Sequence, residues 1–409
     1  MSDRKPFVIV GGGLAGAKAA ETLRGEGFDG RIVLVAAESR LPYERPPLSK
    51  GYLAGESTLA EAQVHDDDFY SARDVDLLRG TRATRLDTAA HRVVLSDGHD
   101  LPYDRLLLAT GAVPRRPAIP GSHGDGVHVL RSVADADALR SALSGGGRLV
   151  VVGAGWIGCE VAATARGLGA EVTVIERGLV PLERVLGPRL GEFFADLHRS
   201  HGVEVLPNCE VDGIDSRSVR LADGRAIECD AVLLGVGVAP ATELAASGGL
   251  EIADGIVVDE LLRTSAADVL AAGDVASALH PRYARHVRVE HWDNAHAQGV
   301  AAARSMLGAG SPYAKLPYFF SDQYDLGLEY VGLHDPRDEL VIRGSLDQAR
   351  FQAFWVAADG TVSAGMHVND WDAIGPIRKL VENRATVTAE DLSDPGLPVS
   401  AAASGQRGA

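Results

Sequence analysis

The chain has few cysteines and no long apolar run. Its 409 residues include three cysteines, Cys159, Cys209 and Cys229, which are too far apart to form a C-x-x-C pair or a metal-binding comb. We therefore expect reduced thiols in the core and no metal site. No uninterrupted apolar stretch is long enough to span a bilayer, and MSDRKP leads into the first strand without the apolar segment of a signal peptide. These absences predict a soluble, cytoplasmic protein with no membrane partner.

The chain also lacks an excess of positive charge. Lysine and arginine number 40 against 56 acidic residues, which gives a formal net charge of -16. Phosphate backbones attract basic surfaces, so this balance argues against a nucleic-acid partner. None of the 13 histidines has metal-ligand spacing, and we interpret His291 and His296 as structural or surface residues rather than ligands. At about 150 residues per domain, the length predicts two to three domains.

A glycine motif follows the first predicted strand, the apolar run Phe7 to Val10. Gly11, Gly13 and Gly16 have G-x-G-x-x-G spacing, and an Ala-rich segment with helical periodicity continues from them. Such a turn lets the backbone approach a pyrophosphate, which the unpaired N–H groups and the dipole of the helix attract. Glu38 follows the next predicted strand and is placed to accept hydrogen bonds from a ribose. This stretch predicts a dinucleotide site.

The same pattern returns about 140 residues later. Gly153, Gly155 and Gly158 repeat the spacing between an apolar run and an Ala-rich helix, and Glu176 ends the next strand. One such motif is weak evidence, but two copies in the same context predict two dinucleotides. A carboxylate at Glu176 would accept from two ribose hydroxyls and repel a 2′-phosphate, so we expect NADH to be preferred over NADPH. The adjacent Arg177 either softens that preference or is a solvated surface residue.

The second half of the chain continues this organisation and then changes character. In TSAADVLAAGD, Val269 to Ala271 predict a strand, and a helix from Asp293 to Leu307 comes after it. From Tyr313, aromatic-rich alternating segments predict a small antiparallel sheet followed by one helix, Ile374 to Asn383. Residues 393–409 are small and polar and predict a disordered tail.

With both glycine motifs, the segments LPYERPPLSK, LLLATG, TSAADVLAAGD, VEHWDNAHAQG and YFFSDQYD carry a family resemblance. The chain resembles the FAD-dependent NADH:ferredoxin reductases that serve bacterial cytochrome P450 and aromatic-ring dioxygenase systems, over about residues 6–385. The resemblance implies an α/β fold of the glutathione-reductase type, with two Rossmann-like dinucleotide-binding domains and a C-terminal α+β domain. It implies an FAD-binding domain of residues 1–110 and 240–315, an NADH-binding domain of residues 111–239, and a C-terminal interface domain of residues 316–392 before the tail.

The resemblance also implies which residues contact the two cofactors. Contacts to FAD are expected from Gly11, Gly13, Leu14, Ala15, Gly16, Ala37, Glu38, Arg45, Lys50, Ala83, Ala109, Thr110, Gly111, Arg131, Gly273, Asp274, Glu290, His291 and Trp292. Contacts to NADH are expected from Gly153, Gly155, Trp156, Ile157, Gly158 and Glu176, and Gly237 is a further expected cofactor contact. Asp274 would hydrogen-bond the ribityl chain, and the backbone at Trp292 would face the flavin pyrimidine ring, where a helix N-terminus stabilises negative charge.

Lys50 and Glu160 are the two catalytic residues that the resemblance implies, as a pair beside the flavin N5 atom. The alternative is that Glu160 only occupies the first turn of a helix, where acidic residues are favoured.

The route by which electrons leave follows from a further absence. Disulfide reductases of this architecture carry a redox cysteine pair shortly after the second strand, where this chain has LPYERPPLSK and no cysteine. The resemblance implies a ferredoxin–NAD+ reductase, a monomer or weak homodimer, that passes electrons to an acidic [2Fe–2S] ferredoxin. The alternatives are an NADH-dependent rubredoxin or quinone reductase, and an NADH-responsive flavoprotein with a signalling role.

Docking of an acidic ferredoxin needs a local basic patch on this acidic chain. The stretch HPRYARHVRVEHW supplies Arg282, Arg285 and Arg288 and predicts the docking surface. The alternatives are that this is only a solvated loop, and that docking takes place on the C-terminal domain around Arg343, Arg378 and Lys379.

Overall fold

A computed structural model describes residues 5–402, and within that range no helix combines the length and apolar character needed to cross a membrane. The strands in chain order are β1 Phe7–Val10, β2 Ile32–Ala36, β3 Val75–Arg79, β4 Ala83–Asp87, β5 Arg92–Leu95, β6 Asp100–Pro102, β7 Arg105–Leu108, β8 Ala112–Pro114, β9 Val127–His128, β10 Arg148–Val152, β11 Glu171–Ile175, β12 Glu204–Leu206, β13 Val211–Ile214, β14 Ser218–Leu221, β15 Ala226–Glu228, β16 Ala231–Leu234, β17 Val238–Pro240, β18 Ile252–Ala253, β19 Gly255–Val258, β20 Val269–Ala271, β21 Ala276–His280, β22 Arg285–Val287, β23 Tyr318–Gln323, β24 Leu326–Gly332, β25 Glu339–Ser345, β26 Arg350–Val356 and β27 Val362–Val368. The helices are α1 Leu14–Gly25, α2 Gly51–Ala54, α3 Leu59–Ala62, α4 Phe69–Ala72, α5 Val133–Ala142, α6 Trp156–Gly167, α7 Glu183–Leu186, α8 Pro188–Ser200, α9 Glu243–Ser247, α10 Trp292–Met306, α11 Ile374–Glu382, α12 Ala389–Ser393 and α13 Val399–Ala402, with a 3₁₀ turn over Pro46–Ser49.

The chain divides into two compact units, each built from separate segments. The first unit comprises the chain up to Pro47, Ser57–Val113 and Val238–Lys315. The second comprises Leu48–Glu56, Pro114–Gly237 and the chain from Leu316 onwards. This division places residues 48–56 with the second unit and does not separate the segment after Leu316 as a third, so the predicted domain boundaries stay a prediction.

The first unit is organised around a parallel sheet with strand order β20-β7-β1-β2-β3. In the register of the central strand, Val8 lies between Val33 of β2 and Leu106 of β7. The strands β1 and β2 are buried along their full length, as their continuous apolar runs predict. Helix α1 packs against α10 so closely that a Cβ on Gly299 would lie 2.4 Å from the Ala15 carbonyl oxygen.

The second unit contains another parallel sheet, with order β12-β11-β10-β16-β9. A five-stranded antiparallel sheet, β23-β24-β27-β26-β25, lies in the same unit, and α11 packs on it. The predicted fold class is confirmed: two parallel sheets, each opening with strand, glycine turn and helix, are accompanied by a C-terminal α+β region.

The end of the chain is more ordered than its composition predicted. The prediction of a disordered tail is wrong for residues 393–402, and the rest of that tail lies outside the described residues. Helix α13 buries Val399 and Ala402, and the Arg343 guanidinium donates to the Leu397 and Pro395 carbonyl oxygens. The one helix predicted after the sheet is therefore followed by two shorter ones, and Arg343 donates hydrogen bonds to carbonyl oxygens of the segment between them.

The segment LPYERPPLSK contains a short helical turn. Its second half forms the 3₁₀ turn Pro46–Ser49 and leads directly into α2. Proline fixes φ near the helical value, so consecutive prolines at the start of a short helical turn are well tolerated.

Candidate active site

The first glycine motif forms a close turn between β1 and α1. Gly11 has a φ of 131°, and a Cβ there would lie 2.0 Å from the Ala109 carbonyl oxygen. A Cβ on Gly16 would lie 2.0 Å from the Gly11 carbonyl oxygen, so helix and turn touch backbone to backbone. Gly13 is the N-cap of α1 without a side-chain cap, and a Cβ there would meet nothing within 4 Å. The amino end of α1 therefore presents unpaired N–H groups to open space, as an anion-binding turn requires.

Glu38 lies two residues beyond the end of β2 and is half-buried. Its Oε2 accepts from the Tyr43 hydroxyl at 2.6 Å, and its Oε1 pairs with Arg45 at 3.1 Å. Two of the residues predicted to contact FAD, Glu38 and Arg45, thus contact each other, while Ala37 beside them is exposed.

A second group of predicted FAD contacts lies between β20 and α10. Gly273 has a φ of 81° and donates its N–H to Gln298 Oε1 at 2.9 Å, and Asp274 next to it is buried. The indole Nε1–H of Trp292 is buried and has no hydrogen-bond partner among the described residues. The amino end of α10 is partly capped, because His291 Nδ1 accepts from the Asp293 N–H at 3.2 Å. His291 therefore occupies one of the N–H groups that the sequence indicated at that helix end, and its predicted contact with FAD stays a prediction.

The remaining predicted FAD contacts of the first unit are distributed over several elements. They are Leu14 and Ala15 in the first turn of α1, Ala83 at the start of β4, Ala109, Thr110 and Gly111 directly after β7, and Glu290 two residues before α10.

The second glycine motif repeats the geometry of the first between β10 and α6. Gly153 has a φ of 100°, and a Cβ on Gly158 would lie 2.1 Å from the Gly153 carbonyl oxygen. Gly155 is the N-cap of α6 and again has no side-chain cap. Ile157 is exposed in the first turn of α6, whereas Trp156 packs against Phe319, with ring centroids 4.7 Å apart. This turn is also open to an anion.

Glu176 lies directly after β11 and contacts this second turn. Its Oε2 accepts from the Ala154 N–H and its Oε1 from the Gly178 N–H, both at 2.7 Å. Each carboxylate oxygen has two lone pairs, so these bonds orient the group and leave acceptor capacity for ribose hydroxyls.

Lys50 and Glu160 form the predicted pair. The Lys50 Nζ lies 2.8 Å from Glu160 Oε2, and both residues belong to the second unit. Glu160 is 4% exposed and is the fifth residue of α6, so the alternative that it only occupies the first helical turn is wrong. Ser49 Oγ donates to the same Oε2 at 2.5 Å, and Ser321 Oγ donates to Oε1 at 2.7 Å. A buried carboxylate is thus held by one cation and two hydroxyls, which is the compensation that burial of a charge requires.

The other two predicted contacts in the second unit lie in loops. Arg131 is half-buried between β9 and α5, where its backbone N–H donates to Asp135 Oδ2 at 3.1 Å. Gly237 precedes β17 with a φ of 89°, and a Cβ there would meet nothing within 4 Å, so its surroundings are open.

The three cysteines are free thiols with different environments. Cys159 and Cys229 are buried as predicted, but Cys209 is half-exposed and lies 3.1 Å from the Arg225 guanidinium. Burial raises the pKa of Cys159 far above its ordinary value and raises that of Cys229 to about 11. Among residues 5–402 there is also no cluster of three or more His, Cys, Asp or Glu side chains that could hold a metal ion.

The predicted docking arginines are less available than their sequence indicated. The stretch is not a simple loop, since Arg285 begins strand β22. The Arg288 side chain is 11% exposed and pairs with Asp254 at 3.0 Å and with Glu290. Arg343 is occupied by carbonyl oxygens of the C-terminal segment. Local carboxylates therefore compensate the positive charge of Arg288, and carbonyl oxygens occupy the donors of Arg343.

Several residues of the site were missed from the sequence. Ser49 and Ser321 hold Glu160, and Gln298 holds Gly273. The one available signal was the alternation in β23, where Ser321 and Gln323 occupy buried positions of a period-two pattern.

The structure fits two dinucleotide cofactors. Two glycine turns, each followed by a helix without a side-chain cap, provide the free N–H groups that bind a pyrophosphate. In the first unit, the buried Trp292 indole N–H has no acceptor among the described residues, and a cofactor atom could supply one. Gly11, Gly13, Gly16 and Trp292 would hold the first cofactor.

Comparison with known proteins defines the class. The family model described as pyridine nucleotide-disulphide oxidoreductase matches residues 5–299, and the model described as reductase C-terminal matches residues 318–403. The chain belongs to the pyridine nucleotide-disulphide oxidoreductase family.

The relatives narrow this class. The chain is 40% identical over 394 residues to the anthranilate 1,2-dioxygenase system ferredoxin–NAD(+) reductase component of Burkholderia cepacia, covering 95% of this chain and 97% of that protein. It is 37% identical over 409 residues to putidaredoxin reductase of Pseudomonas putida, covering 98% and 97%. The solved covalent putidaredoxin reductase–putidaredoxin complex matches with a TM-score of 0.94 at 36% identity, over 99% of this chain and 100% of the other. Both relatives are reductases by name, and family and relatives imply that this chain is an oxidoreductase with FAD and NADH as its cofactors.

Proposed function

We propose that this chain passes electrons from NADH through FAD to a [2Fe–2S] ferredoxin that supplies a cytochrome P450 or a ring-hydroxylating oxygenase. The observation that carries the proposal is the presence of two uncapped glycine turns in a chain whose cysteines are all free and unpaired. A disulfide-reducing member of the family needs two neighbouring thiols that exchange electrons with the flavin. The segment LPYERPPLSK after the second strand, where such reductases carry that pair, has no cysteine, so the acceptor would take electrons from the flavin itself.

The first unit would hold FAD. The α1 amino end and Gly13 would face the pyrophosphate, and the Glu38–Arg45 pair would border the adenosine. The buried Asp274 would accept from the ribityl hydroxyls, and Trp292 would lie at the ring. Bound FAD would supply the conversion between a two-electron donor and a one-electron acceptor.

The second unit would hold NADH. The α6 amino end would face its pyrophosphate, and Glu176, already oriented by Ala154 and Gly178, would accept from the adenine ribose. A 2′-phosphate would meet that carboxylate and be repelled, which favours NADH.

Lys50 and Glu160 are proposed as the catalytic residues. The Lys50 ammonium supplies a positive charge, and the Glu160 carboxylate fixes its position from the buried side. Fixed charges in a partly buried site stabilise charge that develops during a reaction without reorganisation. The pair would orient reactants and balance charge rather than move atoms itself.

The partner would be an acidic ferredoxin. Since Arg288 is compensated by two carboxylates, the exposed Arg285 is the stronger candidate for steering within the predicted docking stretch. We further propose a monomer or weak homodimer that works in the cytoplasm without membrane or nucleic acid.

The test is anaerobic reduction followed by acceptor selection. Purified protein loaded with FAD should lose its flavin absorption on addition of NADH, and the reduced protein should then reduce a [2Fe–2S] ferredoxin in stopped flow. Rubredoxin and a quinone serve as the competing acceptors. A protein that takes up no FAD, or one that reduces the quinone but not the ferredoxin, would overturn the proposal.

A further inference from the structure

A row of buried polar side chains extends from Glu160 through the second unit. Ser321 and Gln323 of β23 and His198 of α8 are each at most 1% exposed. Their polar atoms lie in sequence: Gln323 Nε2 is 3.4 Å from Ser321 Oγ, and His198 Nε2 is 3.0 Å from Gln323 Oε1. At the far end, the Tyr324 hydroxyl is 2.9 Å from His198 Nδ1. Nothing in the proposed mechanism uses these residues.

With Glu160 as a carboxylate and His198 as a neutral imidazole, each of these hydrogen bonds has one direction. A carboxylate has no proton to give, so Ser321 donates its single O–H to Glu160 Oε1. Ser321 must then accept from the Gln323 amide N–H, which turns Oε1 of Gln323 towards His198. His198 therefore donates from Nε2, and its Nδ1 lone pair accepts the Tyr324 hydroxyl.

The outer end of the row reaches the surface. Tyr324 has a φ of 58°, a conformation that a bulky residue seldom adopts, and its ring stacks on the exposed His201 ring at 3.7 Å. Burial lowers the pKa of His198 to about 4, which agrees with a neutral imidazole in the middle of the row. All dipoles thus point their positive ends towards Glu160.

We propose that Tyr324, His198, Gln323 and Ser321 form a directional hydrogen-bond chain that positions the Glu160 carboxylate and partly balances its charge. They are positioning residues, since they act through Glu160. Hydrogen bonds aligned head to tail polarise one another, so the chain presents a stronger donor at Ser321 than an isolated serine would. The role at the flavin rests on the proposed function, whereas the direction of the chain does not.

The direction can be tested by NMR of the FAD-loaded protein with ¹⁵N-labelled histidine. The His198 signals are assigned by their loss in His198→Gln. At neutral pH we expect a neutral ring with its proton on Nε2. A ring with the proton on Nδ1, or a doubly protonated ring, would overturn the proposed direction of the hydrogen-bond chain.

The effect on Glu160 is tested by Ser321→Ala. The matched control is Ser122→Ala, at a buried serine that is not part of the hydrogen-bond chain. Loss of a hydrogen bond to a charged group should slow flavin reduction by NADH about tenfold at unchanged NADH affinity. It should also move the flavin midpoint potential to more negative values, because the carboxylate loses a positive dipole. Ser321→Cys retains a weak donor, so its rate and midpoint potential should lie between those of the wild type and Ser321→Ala.

An unchanged rate and potential in Ser321→Ala would overturn the positioning role. Tyr324→Phe keeps the stacked ring and removes only the outermost donor, so its effect should have the same sign and be smaller. If wild-type protein is not reduced by NADH, the proposed function fails, and the NMR measurement alone still decides the direction of the chain.

Discussion

Replacing Gly16 by alanine tests whether the first glycine turn binds FAD. The added Cβ would lie 2.0 Å from the Gly11 carbonyl oxygen and 3.3 Å from Ile9 Cγ2. The carbonyl belongs to the backbone and cannot rotate away as a side chain could, so α1 must move by more than about an ångström before ordinary contact is restored. Overpacking of this kind costs up to about 3 kcal/mol. If the turn yields, its N–H groups leave the pyrophosphate, and about 3 kcal/mol corresponds to a roughly hundredfold weaker FAD complex.

The chain supplies matched controls for this experiment. Gly25 ends the same helix, and a Cβ there would meet nothing within 4 Å, so Gly25→Ala should bind FAD normally. In the second unit, Gly158→Ala would place a Cβ 2.1 Å from the Gly153 carbonyl oxygen, whereas Gly167→Ala at the end of α6 again meets nothing. Gly158→Ala should therefore weaken NADH binding and spare FAD.

FAD affinity is measured by fluorescence titration of the apoprotein, and NADH affinity by anaerobic titration of the FAD-loaded protein. Circular dichroism and thermal unfolding with excess FAD show whether each variant folds. A folded Gly16→Ala protein with wild-type FAD affinity would refute the assignment of the first turn. If Gly16→Ala and Gly158→Ala each weakened the binding of FAD and of NADH equally, the cost would be general destabilisation rather than damage to one turn.

The features that were predicted from sequence are those encoded by neighbouring residues. The glycine turns depend on three glycines within six residues and on the strand and helix beside them, so spacing alone specifies them. The bounds of β1 and β20 match the predicted ones because continuous apolar runs are local signals.

The surroundings of Glu160 were only half predictable for the opposite reason. Lys50 was expected from the family resemblance, but Ser321 is 161 residues from Glu160 and meets it only through packing of β23 on α6. Buried polar positions in a strand contradict the usual inward-apolar pattern, and such local conflicts concentrate at functional sites. Alternation identifies the face of β23, but not the donor and acceptor that each side chain faces.

Charge was the least predictable property. Counting arginines placed a docking surface in HPRYARHVRVEHW, yet Arg288 is neutralised by Asp254, which lies 34 positions earlier in the chain, and by Glu290. The net field of a patch depends on every charge within about a Debye length, whichever segment supplies it. A linear stretch therefore overstates the local potential whenever the fold brings carboxylates beside it.

Three further predictions concern the donor, the thiols and pH. Glu176→Gln should weaken NADH binding and reduce the ratio of kcat/KM for NADH to that for NADPH, because the variant no longer repels a 2′-phosphate. Equal kcat/KM for both donors in the unmodified protein would contradict the placement of Glu176 at the adenine ribose. Replacing Cys159, Cys209 and Cys229 by alanine should leave NADH-to-ferricyanide turnover intact in protein that retains FAD, and loss of turnover would reveal a thiol step. For His198, burial lowers the pKa to about 4 from 6.5, so the unfolded chain binds a proton at this residue between those values and the folded chain does not. The associated stability is present above pH 6.5 and is lost as pH falls towards 4, to an extent of roughly 3 kcal/mol. Denaturant unfolding of FAD-loaded protein at pH 7 and pH 4.5 should therefore show a smaller acid-induced loss of unfolding free energy for His198→Gln than for the wild type. Identical losses would mean that folding does not lower the pKa of His198.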